Sequence, residues 1–137
     1  MVANIAFVVI VMWPQFGGKD EAAAARDASA QMEQVLNRSV AAYNAGDSET
    51  FLALFSKAAN PPADSAFFAG TIQGIYQRET GVVSSKTVVS SGASGNRNGG
   101  TLVCDATCEK RARARLVAAF VREDGSMKLL SWKLEKP

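Results

Sequence analysis

The chain has 137 residues, 47% hydrophobic and 20% charged, enough for one domain with a single core and too apolar for wholesale disorder. Its net charge of +2 is too small a surplus to imply a nucleic-acid partner. Histidine is absent and cysteine occurs twice, which removes the usual neutral-pH base and leaves too few soft ligands for structural zinc, so no metal or cofactor is expected.

Val2–Trp13 is apolar apart from Asn4, and Pro14 and Gly17-Gly18 follow. About 12 residues fall short of the ~20 that span a bilayer as a helix, but they match the apolar region of an export signal. Ile5–Met12 has no polar face for water, so Ile5, Phe7, Val9, Val11 and Trp13 are the expected membrane-inserting residues. Residues 1–18 are therefore expected as an anchor or signal-like segment, with 19–137 as the folded domain. Small residues suited to processing occur only at Ala22–Ala25, which leaves cleavage open. The competing reading is a buried N-terminal element.

From Asp20 to Ala45 the residues favour helix, with Met32, Val35, Leu36, Val40 and Tyr43 on one stripe. Asn44-Ala45-Gly46 is a stop, and Asp47 or Ser48 can cap a second helix, Glu49–Lys57, bearing Phe51, Leu52, Leu54 and Phe55. Pro61-Pro62 interrupt. Asp64 or Ser65 can cap a third helix, ended by Gly81, in which Phe68, Ile72 and Ile75 form the core stripe and Phe67 and Tyr76 flank it.

Val82–Ser90 reads as the first strand and Ser91–Gly100 as a Gly/Ser/Asn linker. Three more strands follow, and their even-numbered residues define one apolar face. These are Leu102, Cys104, Ala106 and Cys108, then Ala112, Ala114, Leu116, Ala118 and Phe120, then Leu130, Trp132 and Leu134. On a straight strand the two cysteines stand ~13 Å apart, past disulfide reach; a tight turn through Asp105–Thr107 would instead let them bridge. Pairing Cys108 with Ala112 aligns the inward faces and sets Asp105 opposite Arg115 and Thr107 opposite Arg113. Phase also favours a three-residue Glu123-Asp124-Gly125 loop over a two-residue Asp-Gly turn, since the shorter turn sends Trp132 outward. Arg122 then faces Ser126, and Leu116 faces Trp132. The expected class is α+β: three N-terminal helices on one face of a curved four-stranded antiparallel sheet.

Ala42-Tyr43-Asn44-Ala45-Gly46-Asp47, with Phe51, Leu54 and Phe55, and the terminal Val121-Arg122-Glu123-Asp124-Gly125-Ser126-Met127-Lys128-Leu129-Leu130 carry a family resemblance. Over roughly Asp27 to Glu135 the chain resembles the nuclear-transport-factor-2-like superfamily, also called the ketosteroid-isomerase-like or cystatin-like cone fold. Met127 stands where that superfamily usually has tryptophan. The likeness is to domains of unknown function in bacterial envelope proteins, which implies a location at the membrane or exported, on the periplasmic side. It also implies a sheet wrapped around a pocket, whose lining here would be Tyr43, Phe68, Ile72, Tyr76, Phe120 and Trp132.

Catalytic members place an acid on the inward sheet face, where burial raises its pKa. Here Asp105, Glu123 and Asp124 fall on the opposite face or in a turn, so no catalytic residue is assigned. A small-molecule pocket, or an isomerase- or hydrolase-like enzyme using carboxylate or tyrosine, is the alternative to a non-catalytic domain. Lys110, Arg111, Arg113 and Arg115 read as a solvated strand face, not a nucleic-acid surface. The outward face also carries Val117, Ala119, Val121, Met127 and Leu129, where an open antiparallel sheet should be polar. Val117, Ala119, Val121 and Leu129 are therefore the expected contact surface for a protein partner or a second copy.

Overall fold

Helix α1 (Trp13–Ala45), helix α2 (Ser48–Ala53) and helix α3 (Ser65–Phe67), which runs straight into a π-helix (Phe68–Gln77), come first in the computed structural model. Strands β1 (Val83–Ala93), β2 (Gly99–Cys108), β3 (Ala114–Glu123) and β4 (Ser126–Glu135) follow. The structure describes residues 13–59, 62–93 and 99–137. The strands form one antiparallel sheet in the order β1-β2-β3-β4, and the α+β class is as expected. Among the described residues, no helix is long and apolar enough to cross a membrane.

α1 is 33 residues long, about 50 Å at 1.5 Å per residue. It begins at Trp13 rather than Asp20 and passes through Gly17-Gly18 without a break. Among the residues whose burial is described, Ala28, Met32, Val35, Leu36, Val40 and Tyr43 of α1 pack into the core. At its far end the Asn44 amide acts as a strand partner for β1: its Nδ2 donates to Val83 O (2.9 Å) and its Oδ1 accepts from Val83 N–H (2.8 Å).

Asp47 caps α2 by accepting from Thr50 N–H (3.1 Å), and Asp64 caps α3 by accepting from Phe67 N–H (2.8 Å). α2 stops at Ala53, four residues short of the expectation, because the next residues pair with the edge of the sheet. Ser56 N–H donates to Leu129 O, and Leu129 N–H donates to Leu54 O, both at 2.8 Å. The third helix also departs from the expected α form after Phe67. Its wider π turns keep Phe68, Ile72 and Tyr76, spaced by four, in a row toward the sheet.

Parity holds through β2 and β3: Leu102, Cys104, Ala106, Cys108, Ala114, Leu116, Ala118 and Phe120 are all buried. Cys104 and Cys108 are both free. Asp105 stands opposite Arg115 as expected. The ladder ends at Ala106–Ala114, however, so Thr107 and Arg113 are not paired within it and Ala112 is exposed. Instead Cys108 N–H donates to Arg111 O (2.9 Å), which turns the chain through Glu109-Lys110.

The last hairpin corrects the sequence reading. Glu123 pairs with Ser126 across a two-residue turn, with Asp124 at φ 51° and Gly125 at φ 81°. Both central residues at positive φ make the type I′ turn that suits the twist of a hairpin. Arg122 therefore pairs with Met127, and Leu116 with Leu134. A bulge then intervenes: Phe120 pairs with Leu129 but Ala119 pairs with Ser131, leaving Leu130 as the extra residue. Trp132 and Leu134 return to the inward face, as expected, by a different route. Met127 and Leu129 also face inward, and Leu130 is only half-buried.

Candidate functional site

The inward face is closed by aromatic side chains delivered from four elements. α1 brings Tyr43, α2 brings Phe51, the π-helix brings Phe68 and Tyr76, and β4 brings Trp132. The Trp132 ring lies 5.0 Å from Tyr43, 5.3 Å from Phe51 and 5.9 Å from Tyr76 between centroids, and Phe51 lies 5.4 Å from Phe68. The Phe51–Trp132 and Phe51–Phe68 pairs are edge-to-face, the arrangement that ring quadrupoles favour. Of the six expected pocket residues, Tyr43, Phe68, Tyr76 and Trp132 are thus gathered in one cluster. Ile72 is fully buried on the π-helix. Phe120 sits farther along the sheet, between Gly100 and Leu129.

The polar ends of Trp132 and Tyr43 are satisfied inside the protein. Trp132 Nε1 donates to Ser39 Oγ (2.9 Å), and Ser39 in turn donates to Leu36 O (2.6 Å). Tyr43 donates its hydroxyl proton to Gly81 O (2.7 Å). Gln77 reaches Tyr43 O and ties the π-helix to α1. Sequence pattern gives Ser39 and Gln77 no role and reads Asn44 only as part of a helix stop and of the motif that carries the resemblance. Nothing in the local pattern marks them, and only the partners contributed by distant elements reveal their part.

Burial governs the chemistry here. It raises the Tyr43 phenol far above its ordinary value of 10.0 and raises that of Tyr76 as well. It also raises both thiols, from an ordinary 9.0, with Lys86 only partly opposing the rise at Cys104 and Arg111 that at Cys108. All four groups stay protonated and neutral at pH 7, and a protonated thiol is a poor nucleophile. Among the described residues no group of three or more Cys, Asp and Glu is set to hold a metal ion.

The opposite face of the sheet is different. Val117, Ala119 and Val121 point outward from β3 and are half-buried, with Val103 of β2 opposite Val117. On the β4 side Val117 meets Lys133, Ala119 meets Ser131 and Val121 meets Lys128. Leu129 does not belong to this surface: it is 0% exposed, on the helix side. The short turn put it there. Ile5, Phe7, Val9 and Val11 lie outside the described residues, and Trp13 opens α1.

Open recesses lie at the margins of the fold. One of about 260 Å³ lies between the end of α1 and the turn at Gly81, lined by Asn44, Gln77 and Glu109 among others. Another, of about 120 Å³, opens at the β4 edge between Phe55, Phe67 and Thr71. The basic side chains are dispersed: Lys110 Nζ donates to Arg78 O (2.9 Å), Arg113 is exposed and Arg115 is half-buried. In comparisons with known proteins, no family model and no curated protein matches the chain.

Proposed function

We propose that this chain is a non-catalytic interaction or accessory domain of the cone-fold type, acting as one subunit of a larger assembly or dimer through the outer face of its sheet. In this reading residues 2–16 attach it to a membrane or direct its export, on the periplasmic side of a bacterial envelope. The observation that carries the reading is the row Val117, Ala119 and Val121, extended by Val103, on the side of the sheet away from the helices. A sheet face left to water selects polar residues, and a patch of valines there loses its exposed apolar area when a partner covers it. The filled aromatic interior supports a structural role for the other face, since Tyr43, Phe68, Tyr76 and Trp132 occupy the space a ligand would need.

Val121→Asp places a carboxylate at the hairpin end of the row. It is expected to shift the protein on gel filtration from an assembled to a monomeric elution volume. An unchanged volume would retire the interface. Deleting residues 1–18 is expected to move the protein from the membrane fraction to the soluble one, and persistence in the membrane fraction would retire the anchor.

A further inference from the structure

The outer face of the sheet is a grid whose rows are set by strand register. Asp105 lies beside Arg115, Val103 beside Val117, Thr101 beside Ala119 and Gly99 beside Val121, each pair spanning β2 and β3. On β4 the same rows continue with Glu135, Lys133, Ser131 and Lys128. Asp105 and Thr101 are exposed, while Val103, Arg115, Val117 and Ala119 are half-buried. Although Asp105 and Arg115 are cross-strand neighbours, no ion pair joins them, and Arg115 Nε has no hydrogen-bond partner. The two opposite charges therefore flank the valine row without pairing with each other.

A second copy packed face to face is related to the first by a two-fold axis, and the position of that axis decides which residues meet. With the axis parallel to the strands and midway between β2 and β3, every β2 residue faces the β3 residue of its own row in the second copy. Val103 then meets Val117, Thr101 meets Ala119 and Asp105 meets Arg115, each twice. An axis along β2 sets Asp105 against itself, and one along β3 sets Arg115 against itself and Asp105 against Glu135. One between β3 and β4 sets Val117 against Lys133 and Val121 against Lys128. One across the strands at Val103–Val117 sets Lys133 against itself. Of these, only the first matches apolar with apolar and charge with opposite charge. The ~30° between packed sheets moves facing strands apart by about 3.4 Å one row from the centre, less than the ~4.8 Å strand spacing, so the central rows keep their partners.

We propose that the outer face joins two copies of this chain about a two-fold axis that runs along the strands between β2 and β3. Val103 and Val117 form the centre of the contact, and reciprocal Asp105–Arg115 ion pairs fix its register. This pairing rests on the outer face being a contact surface, and it names the partner and the residues that select it. Four strands by about eight residues give roughly 19 Å by 26 Å, or about 500 Å² of flat face per copy, near the lower end of specific interfaces. A dissociation constant in the micromolar range is therefore expected.

Sedimentation velocity on the full chain from about 1 to 300 µM is expected to show a monomer–dimer equilibrium. Asp105→Arg sets arginine against arginine across the contact, and Arg115→Asp sets carboxylate against carboxylate. Each is expected to weaken the dimer about thirtyfold or more. Mixed in equal amounts, the two variants are expected to form a dimer that neither forms alone, since each then meets the opposite charge of the other. Mixing leaves the cross-strand neighbours within each copy unchanged, so the recovery reads only the contact between copies. The pairing is overturned by a wild type that is monomeric at about 300 µM, by single variants that associate like the wild type, or by variants that stay apart on mixing. Any of these results alongside loss of an assembly on Val121→Asp removes the pairing and keeps the outer-face reading. A wild-type dimer unmoved by Val121→Asp and by both charge variants removes the two together.

Discussion

Deleting Leu130 tests the hairpin geometry on which both faces of the sheet depend. In the structure Leu130 is the extra residue of a bulge, so its removal joins Leu129 directly to Ser131 and leaves every cross-strand pair from Arg115–Glu135 to Glu123–Ser126 as it is. The loss is one half-buried leucine side chain, about 1 kcal/mol from area removed from water. With a three-residue loop and no bulge, the same deletion would turn Trp132 and Leu134 into solvent. That would cost about 5–10 kcal/mol, from ~3–5 for the tryptophan and ~2–5 for the leucine. Since a domain of this size is stable by about 5–15 kcal/mol, the two geometries predict a folded and a largely unfolded protein. The assay is urea unfolding followed by Trp132 fluorescence in a Trp13→Phe background. A midpoint lowered by less than about 1 M, with emission still blue-shifted, is expected. Red-shifted emission without denaturant would refute the bulge.

Three further outcomes follow from the core and the strands. Ser39→Ala is expected to destabilise by about 1–3 kcal/mol, because it strands the buried Trp132 Nε1–H. Trp132→Phe in the Ser39→Ala background should then cost less than the same change alone, and strict additivity in a double-mutant cycle would deny the coupling. Gly99→Ala would set its Cβ 2.1 Å from Phe120 O, a backbone atom of the neighbouring strand, and is expected to cost about 2 kcal/mol or more by thermal melting; a change under about 0.5 kcal/mol would show that β2 lies farther from β3. Stability should also fall at high pH. The folded thiols hold their protons more tightly than the unfolded ones, so the stability tied to them is intact below 9.0 and is lost as pH rises above it, with Tyr43 and Tyr76 adding to the loss above 10.0. Urea midpoints measured from pH 7 to 11 should show this, and Cys104→Ala with Cys108→Ala should flatten the first part of the fall; a slope that survives both changes would assign it elsewhere.

Local rules made much of the fold readable. The α1 stripe of Met32, Val35, Leu36, Val40 and Tyr43 is buried as helical spacing requires, and β2 and β3 alternate from Leu102 to Phe120 as strand spacing requires. The capping carboxylates Asp47 and Asp64 announced two helix starts within a residue. The readings that failed are the ones local rules leave undecided. A two-residue turn followed by a bulge and a three-residue loop without one both shift the phase by one residue, so both put Trp132 inside. They differ only in where the shift occurs, and hence in the side taken by Met127 and Leu129. The outer surface consequently loses Leu129 and keeps Val117, Ala119 and Val121.

Residue pattern alone was enough to divide this chain into a helical half and a sheet half and to pick the greasy side of β2 and β3. Side-chain alternation and helical spacing depend only on bonded geometry and nearest neighbours. Tertiary structure decided where β4 shifts register and where α2 ends. Both turn on one meeting, Leu54–Ser56 against Leu129, between segments about 75 residues apart whose hydrogen bonds exist only once the chain has folded.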